Sequence, residues 1–186
     1  MSCDIIGGRT EQCKDAVSGL HAIYMINYGD LDVPSVVTYG TGDNTDQITA
    51  ITGGTTSLYK FELKGNNSFE QAINSSRENG TTFFEQTLSV QLKRQDVKST
   101  KNVKLISYGR PRIIIHARGD QWFLMGLDQG CDVSAGTISS GSALGDFNGY
   151  SLTFTGMEEL PANFINCTTE AELVTLMGGS VVVTSS

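Results

Sequence analysis

RIIIHARGDQWFLMG, residues 112–126, is the stretch whose reading decides the fold. Its apolar residues run in two blocks around Arg118-Gly119-Asp120. Ile113 and Ile115 fall on one side of an extended chain, Ile114 and His116 on the other. Trp122 and Leu124 alternate in the same way with Phe123 and Met125. Period two on both sides of a glycine-containing turn predicts an antiparallel hairpin, with Gly119 supplying the positive φ. Arg-Gly-Asp also spells an adhesion tripeptide, but the hairpin turn accounts for it. Downstream come a Gly/Ser-rich passage, GCDVSAGTISSGSALGDFNG (130–149), and the alternating strand YSLTFT (150–155).

Upstream, QDVKSTKNVKLISY (95–108) is the best central helix, with Asp96 as N-cap and Gly109 just past its end. Lys98, Lys101 and Lys104 lie three apart and form a basic stripe, with Val103 and Ile106 roughly opposite. The stripe is either a solvated face or a contact to an acidic neighbour. TTFFEQTLSVQLK (81–93) is the longest strand: Phe84, Leu88, Val90 and Leu92 share one side, and Phe83, Glu85, Thr87, Ser89, Gln91 and Lys93 the other. Two-faced polarity of this kind belongs to an antiparallel sheet. SLYKFELK (57–64) alternates too, with Tyr59, Phe61 and Leu63 on one side. Residues 68–79 are either a helix capped by Ser68 and Gln71 or an extended segment.

Toward the N-terminus, residues 20–28 read as a strand with Leu20, Ala22, Tyr24 and Ile26 on one side. Residues 33–39 read as a short strand that Pro34 places at an edge. Residues 40–56 form a long loop or a long hairpin with Gln47–Ile51 as its extended arm; Asp43, Asn44, Asp46, Gln47 and Ile48 are its candidate contact residues. Residues 1–18 read as an arm. At the other end, Thr169 and Glu172 form a capping box for a short helix at about 170–177, closed by Gly178, and 181–184 form a last strand.

A chain of 186 residues suits one domain. With 21 glycines and three prolines, strands and turns outweigh helices. There is no apolar run of membrane-spanning length and no secretory leader, so the expected compartment is a cytoplasm and the four cysteines (Cys3, Cys13, Cys131, Cys167) are expected as free thiols. The net charge of −7 is unevenly spread. Residues 1–56 hold two basic and seven acidic side chains, residues 57–126 eleven and six, and residues 127–186 none and seven. Either each segment has a solvated face, or acidic and basic surfaces are set for head-to-tail association. The overall acidity argues against tight nucleic-acid binding.

Catalytic constellations are missing. In Gly141-Ser142-Ala143-Leu144-Gly145 the serine stands one place too early for a nucleophile elbow, and there is no phosphate loop and no paired-histidine metal motif. Asp43 and Asp46 lack the rest of a calcium loop. Glu158 and Glu159 are adjacent and would face opposite sides of a strand. His116 has no identifiable partner. The reading is a non-enzyme with no cofactor and no metal.

Several segments resemble tail tube proteins of bacteriophages infecting Bacteroidetes-type hosts. They are RENGTTFFEQTL (77–88), the Lys-rich helix, the basic and aromatic strands after it, GCDVSAGT (130–137), ALGDFNGYSLTFTG (143–156), and the opening CDII with residues 24–30. The resemblance implies an antiparallel β-barrel or sandwich of two roughly orthogonal sheets with one flanking helix. It implies hexameric rings, stacked into a tube that carries DNA as transient, non-specific cargo, in a virion tail assembled in the host cytoplasm. The implied partners are further copies and other tail proteins such as tape measure, terminator, baseplate or sheath. An acidic lumen is expected, with Asp128, Asp132 and Asp146 as candidates. The Asp43–Ile48 segment is the expected inter-ring contact and the lysine stripe an expected subunit interface. The alternative is a monomeric carbohydrate- or receptor-binding β-sandwich of a virion, with Tyr39, Tyr108 and Trp122 as stacking platforms.

Overall fold

The computed structural model describes residues 5, 7–11, 13–31, 36–52 and 57–183. Cys3, Pro34 and the final residue of the expected 181–184 strand lie outside them. Twelve strands and two helices are present among the described residues. In chain order they are β1 (Leu20–Ile26), β2 (Val37–Tyr39), β3 (Gln47–Ile51), β4 (Ser57–Glu62), β5 (Ser68–Ser76), β6 (Thr81–Lys93), α1 (Val97–Tyr108), β7 (Arg112–Ala117), β8 (Trp122–Met125), β9 (Asp132–Ser139), β10 (Gly149–Glu158), β11 (Asn163–Ile165), α2 (Glu170–Met177) and β12 (Ser180–Val182). The protein is mainly β, a sandwich of two sheets with two helices. One sheet has eight strands in the order β12-β4-β1-β7-β8-β11-β3-β2; the other has four, β5-β6-β10-β9. Neither closes into a barrel. The larger sheet is also mixed, since β12 runs parallel to β4 and β11 parallel to β3.

The larger sheet is buried on both sides. On one side Ile23, Met25, Ile113, Ile115 and Met125 meet Leu88, Val90, Tyr150, Leu152 and Phe154 of the smaller sheet, with Val103 of α1 closing the open flank. On the other side a second core gathers Leu58, Tyr24, Ile114, Trp122, Leu124, Ile165, Ile48 and Ile51 around Leu173 and Met177 of α2, with Val181 and Val37 from the two outermost strands packed on it. Eight strands laid flat would span roughly 34 Å at about 4.8 Å per strand. The second core, with residues from all eight strands, extends across that width, and α2 packs on it beside β3.

β1 shows how a bulge changes a face. Leu20 was expected beside Ala22, Tyr24 and Ile26, yet the register shifts between Leu20 and Ala22, and Leu20 joins the opposite core. The hairpin of residues 112–126 forms as expected, with Ile114 opposite Leu124 and His116 opposite Trp122. Its positive φ falls on Asp120 (55°) instead of Gly119; aspartate is among the residues that tolerate the left-handed region. The open alternative at residues 68–79 resolves to a strand, paired residue by residue from Ser68 opposite Ser89 to Ser76 opposite Thr81. The Ser68–Gln71 cap does not form, and the Gln71 side chain instead accepts a bond from the Ala162 amide at 2.8 Å.

Both helices end as their sequences dictate. The Asp96 carboxylate accepts from the Ser99 amide at 2.8 Å. Thr169 accepts from the Glu172 amide, while the Glu172 carboxylate returns to the Thr168 amide, one residue earlier than in a standard capping box. Gly178 closes α2 with φ 57°.

Candidate functional site

The candidate functional surfaces are the open parts of the four-stranded sheet. Its inner side is core. Its outer side faces solvent and, by register, carries rows such as Ser68, Ser89 and Thr153, then Glu70, Thr87 and Thr155, then Ala72, Glu85 and Met157. It is a flat wall of hydroxyls with a few carboxylates. Both outermost strands, β5 and β9, end the strand order with one backbone edge unpaired. Neither contains a lysine or proline, the residues with which edges are usually guarded. Each also leaves an apolar residue uncovered on its core-facing side: Ile73 of β5, opposite Phe84, is 68% exposed, and Ile138 of β9, opposite Tyr150, is 56% exposed.

The sequence-derived site residues fall in different places. Asp43, Asn44 and Asp46 lie exposed at the tip of the β2–β3 hairpin, whose base is tied by the Gly40 amide on the Gln47 carbonyl at 2.9 Å. Gln47 begins β3. Ile48 is fully buried in the α2 core and is therefore not a contact residue. Of the two readings of residues 40–56 the hairpin holds: Gln47–Ile51 is its extended arm, a strand between β2 and β11, and the turn is residues 40–46.

The three aspartates expected to line one surface do not meet. Asp132 starts β9, opposite Thr155 on the outer wall, and its carboxylate lies 3.6 Å from the Arg110 guanidinium. Asp128 lies in the β8–β9 connection, where its carbonyl accepts from the Tyr28 hydroxyl. Asp146 lies past the far end of β9, eight residues or about 23 Å away along the strand. There its carboxylate accepts from the Ala143 and Ser142 amides at 2.7 and 2.9 Å, which hold it below the usual carboxylate range. Glu70 and Glu85, on the outer wall, are the acidic residues that sequence reasoning passed over. The alternation along β5 and β6 was the signal that pointed to them.

Lys98, Lys101 and Lys104 are all exposed along α1, with Val103 buried opposite. Lys98 and Lys101 border a groove of about 810 Å³ between α1 and the β1 and β4 strands. Lys60, also on its wall, binds the Glu170 carboxylate at 2.5 Å, and the Tyr24 hydroxyl donates to the same oxygen at 2.6 Å. These two donors hold Glu170 below its ordinary range.

Trp122 is 1% exposed and stacks on His116 with ring centroids 3.9 Å apart, so it offers no platform to a sugar. Tyr39 and Tyr108 are exposed, at 37% and 81%. Glu158 and Glu159 behave as separate groups. Glu158 is buried and accepts from the Asp128 and Gln129 amides, and burial raises its pKa against those two bonds; Glu159 is exposed. Cys131 and Cys167 are buried free thiols and Cys13 an exposed one; burial pushes Cys131 up strongly and Cys167 to about 12. Among the described residues no group of three or more His, Cys, Asp or Glu is placed to hold a metal ion. No helix among them is long and apolar enough to cross a membrane.

Comparison with family models, with curated proteins and with solved structures finds no match to this chain.

Proposed function

We propose that the protein is the self-assembling subunit of a phage tail tube. The observation that carries this reading is the four-stranded sheet with two long, unguarded edges and an uncovered polar wall. β5, β6, β10 and β9 alternate in direction, so β9 of one copy and β5 of the next continue the alternation as an antiparallel pair. Identical copies joined by two different edges form a heterologous contact, which closes into a ring when the rotation divides a full turn. The junction satisfies both rows of unpaired backbone groups and removes the edges. The joined sheets then present their hydroxyl-rich outer walls to a common interior, in which Glu70, Glu85 and Asp132 repel a passing polyanion.

The resemblance in residues 77–88, 130–137 and 143–156 supports the same reading and selects the viral context. Part of residues 130–137 forms β9, and residues 77–88 and 143–156 feed β6 and β10. Electron microscopy of the purified chain is the test. Rings or tubes with a bore wide enough for one DNA duplex are expected. Discrete single copies at high concentration contradict the proposal.

A further inference from the structure

The loop between β9 and β10 carries a side chain that the single chain leaves entirely without cover: Leu144 is 111% exposed relative to an extended reference. The loop is nonetheless rigidly built. The Asp146 carboxylate accepts from the Ser142 amide, the Ser142 hydroxyl and the Ala143 amide, and the Asp146 amide donates to the Ala143 carbonyl at 3.1 Å. Leu144 and Gly145 therefore stand at the apex of a closed turn, and the apolar knob is preorganised, which lowers the entropic cost of docking it.

The groove beside α1 is its counterpart in chemistry. Met25, Phe61, Leu105 and Ile106 give it apolar lining, and Lys98 and Lys101 give it a basic rim. The knob lies in the part of the chain that has no lysine or arginine after Arg118, with Asp146 beside it. The base of the loop is tied to the start of α1, where the Gln95 side chain donates to the Ser139 carbonyl at 2.7 Å. The groove runs along the whole of α1, from Lys98 and Ser99 beside that tie to Gly109 and Pro111. The helix that forms one wall of the groove is twelve residues, about 18 Å.

We infer that the Leu144 turn of one copy docks into the α1 groove of a second copy. A knob and a different surface as its socket make a heterologous contact, the kind that repeats from copy to copy in a stack. This rests on the tube reading and gives it a specific stacking contact, distinct from the β2–β3 hairpin tip.

The experiment uses the full chain carrying C3S and C13S, with Leu144→Cys and Leu105→Cys, under mild oxidation. A disulfide between copies is expected, resolved by mass from any link within one chain. The separate variant L144E, at a position with nothing to lose on folding, is expected to melt like the parent and to need at least about tenfold more protein for tube growth. Tubes that form without an interchain disulfide, a link only within one chain, or L144E tubes that grow at the parental concentration each overturn the inference and leave the tube reading standing. A parent protein that never self-associates overturns both.

Discussion

Gln86 stands in the middle of a strand whose other core-facing residues are apolar, and it is 1% exposed. Its side-chain oxygen accepts from the buried Gly126 amide at 3.0 Å and its nitrogen donates to the Leu160 carbonyl at 3.4 Å, so one side chain ties the small sheet to two connections of the large one. Gln86→Leu keeps most of the volume and orphans both backbone groups. A loss of about 1–3 kcal/mol is expected in urea unfolding. His116 is the second telling residue. Its Nε2 is buried without a hydrogen-bond partner, Asp120 lies 3.9 Å away, His21 stacks at 5.1 Å and Lys60 adds like charge. Burial outweighs the exposed Asp120, and the histidine's pKa is lowered. A folded pKa below the unfolded one means that its contribution is complete above about pH 6.5 and is lost as pH falls through the lowered value. Denaturant titrations at pH 7 and pH 5 are expected to show a smaller loss for His116→Phe, which keeps the stack on Trp122, than for the parent. Neither residue's role was legible in the sequence. Period two put Gln86 on the core side, but nothing local revealed the distant amide that satisfies it.

At the level of elements, what was legible was whatever is decided locally. Asp96 and Gly109 bounded α1, Thr169 and Gly178 bounded α2, and strict alternation found β4, β6, β7, β8 and β10. Residues decided by distant partners were not legible. β11 is three residues long and exists because β8 and β3 flank it, one antiparallel and one parallel. The hairpin with Gln47–Ile51 as its extended arm was legible, but the burial of Ile48, offered as a contact residue, depends on the distant α2 core. The edge strands carry the functional argument and invite a direct test. Along β9, alternate amides point toward β10 and toward the open edge. Of the separate variants Thr137→Pro and Ile138→Pro, one is expected to break the β9–β10 ladder and lower stability. The other is expected to melt close to the parent while failing to assemble. Calorimetry paired with electron microscopy reads both properties. Normal assembly by both variants would remove β9 from the junction.

The whole molecule is two cores stacked on one sheet, with a third surface left open. α2 covers one side of the eight-stranded sheet; the four-stranded sheet covers the other and leaves its own outer side exposed. Charge follows the same division, with the basic residues concentrated in 57–126 and none after Arg118. Two unpaired edges, uncovered Ile73 and Ile138 and a projecting Leu144 are the surfaces that the proposed tube would cover with further copies. Sedimentation velocity of the purified chain over a wide range of protein concentration tests this most directly. The account predicts closed multiples of the 20.0 kDa chain and longer assemblies as concentration rises. A single species at the mass of one chain across the whole range would contradict it.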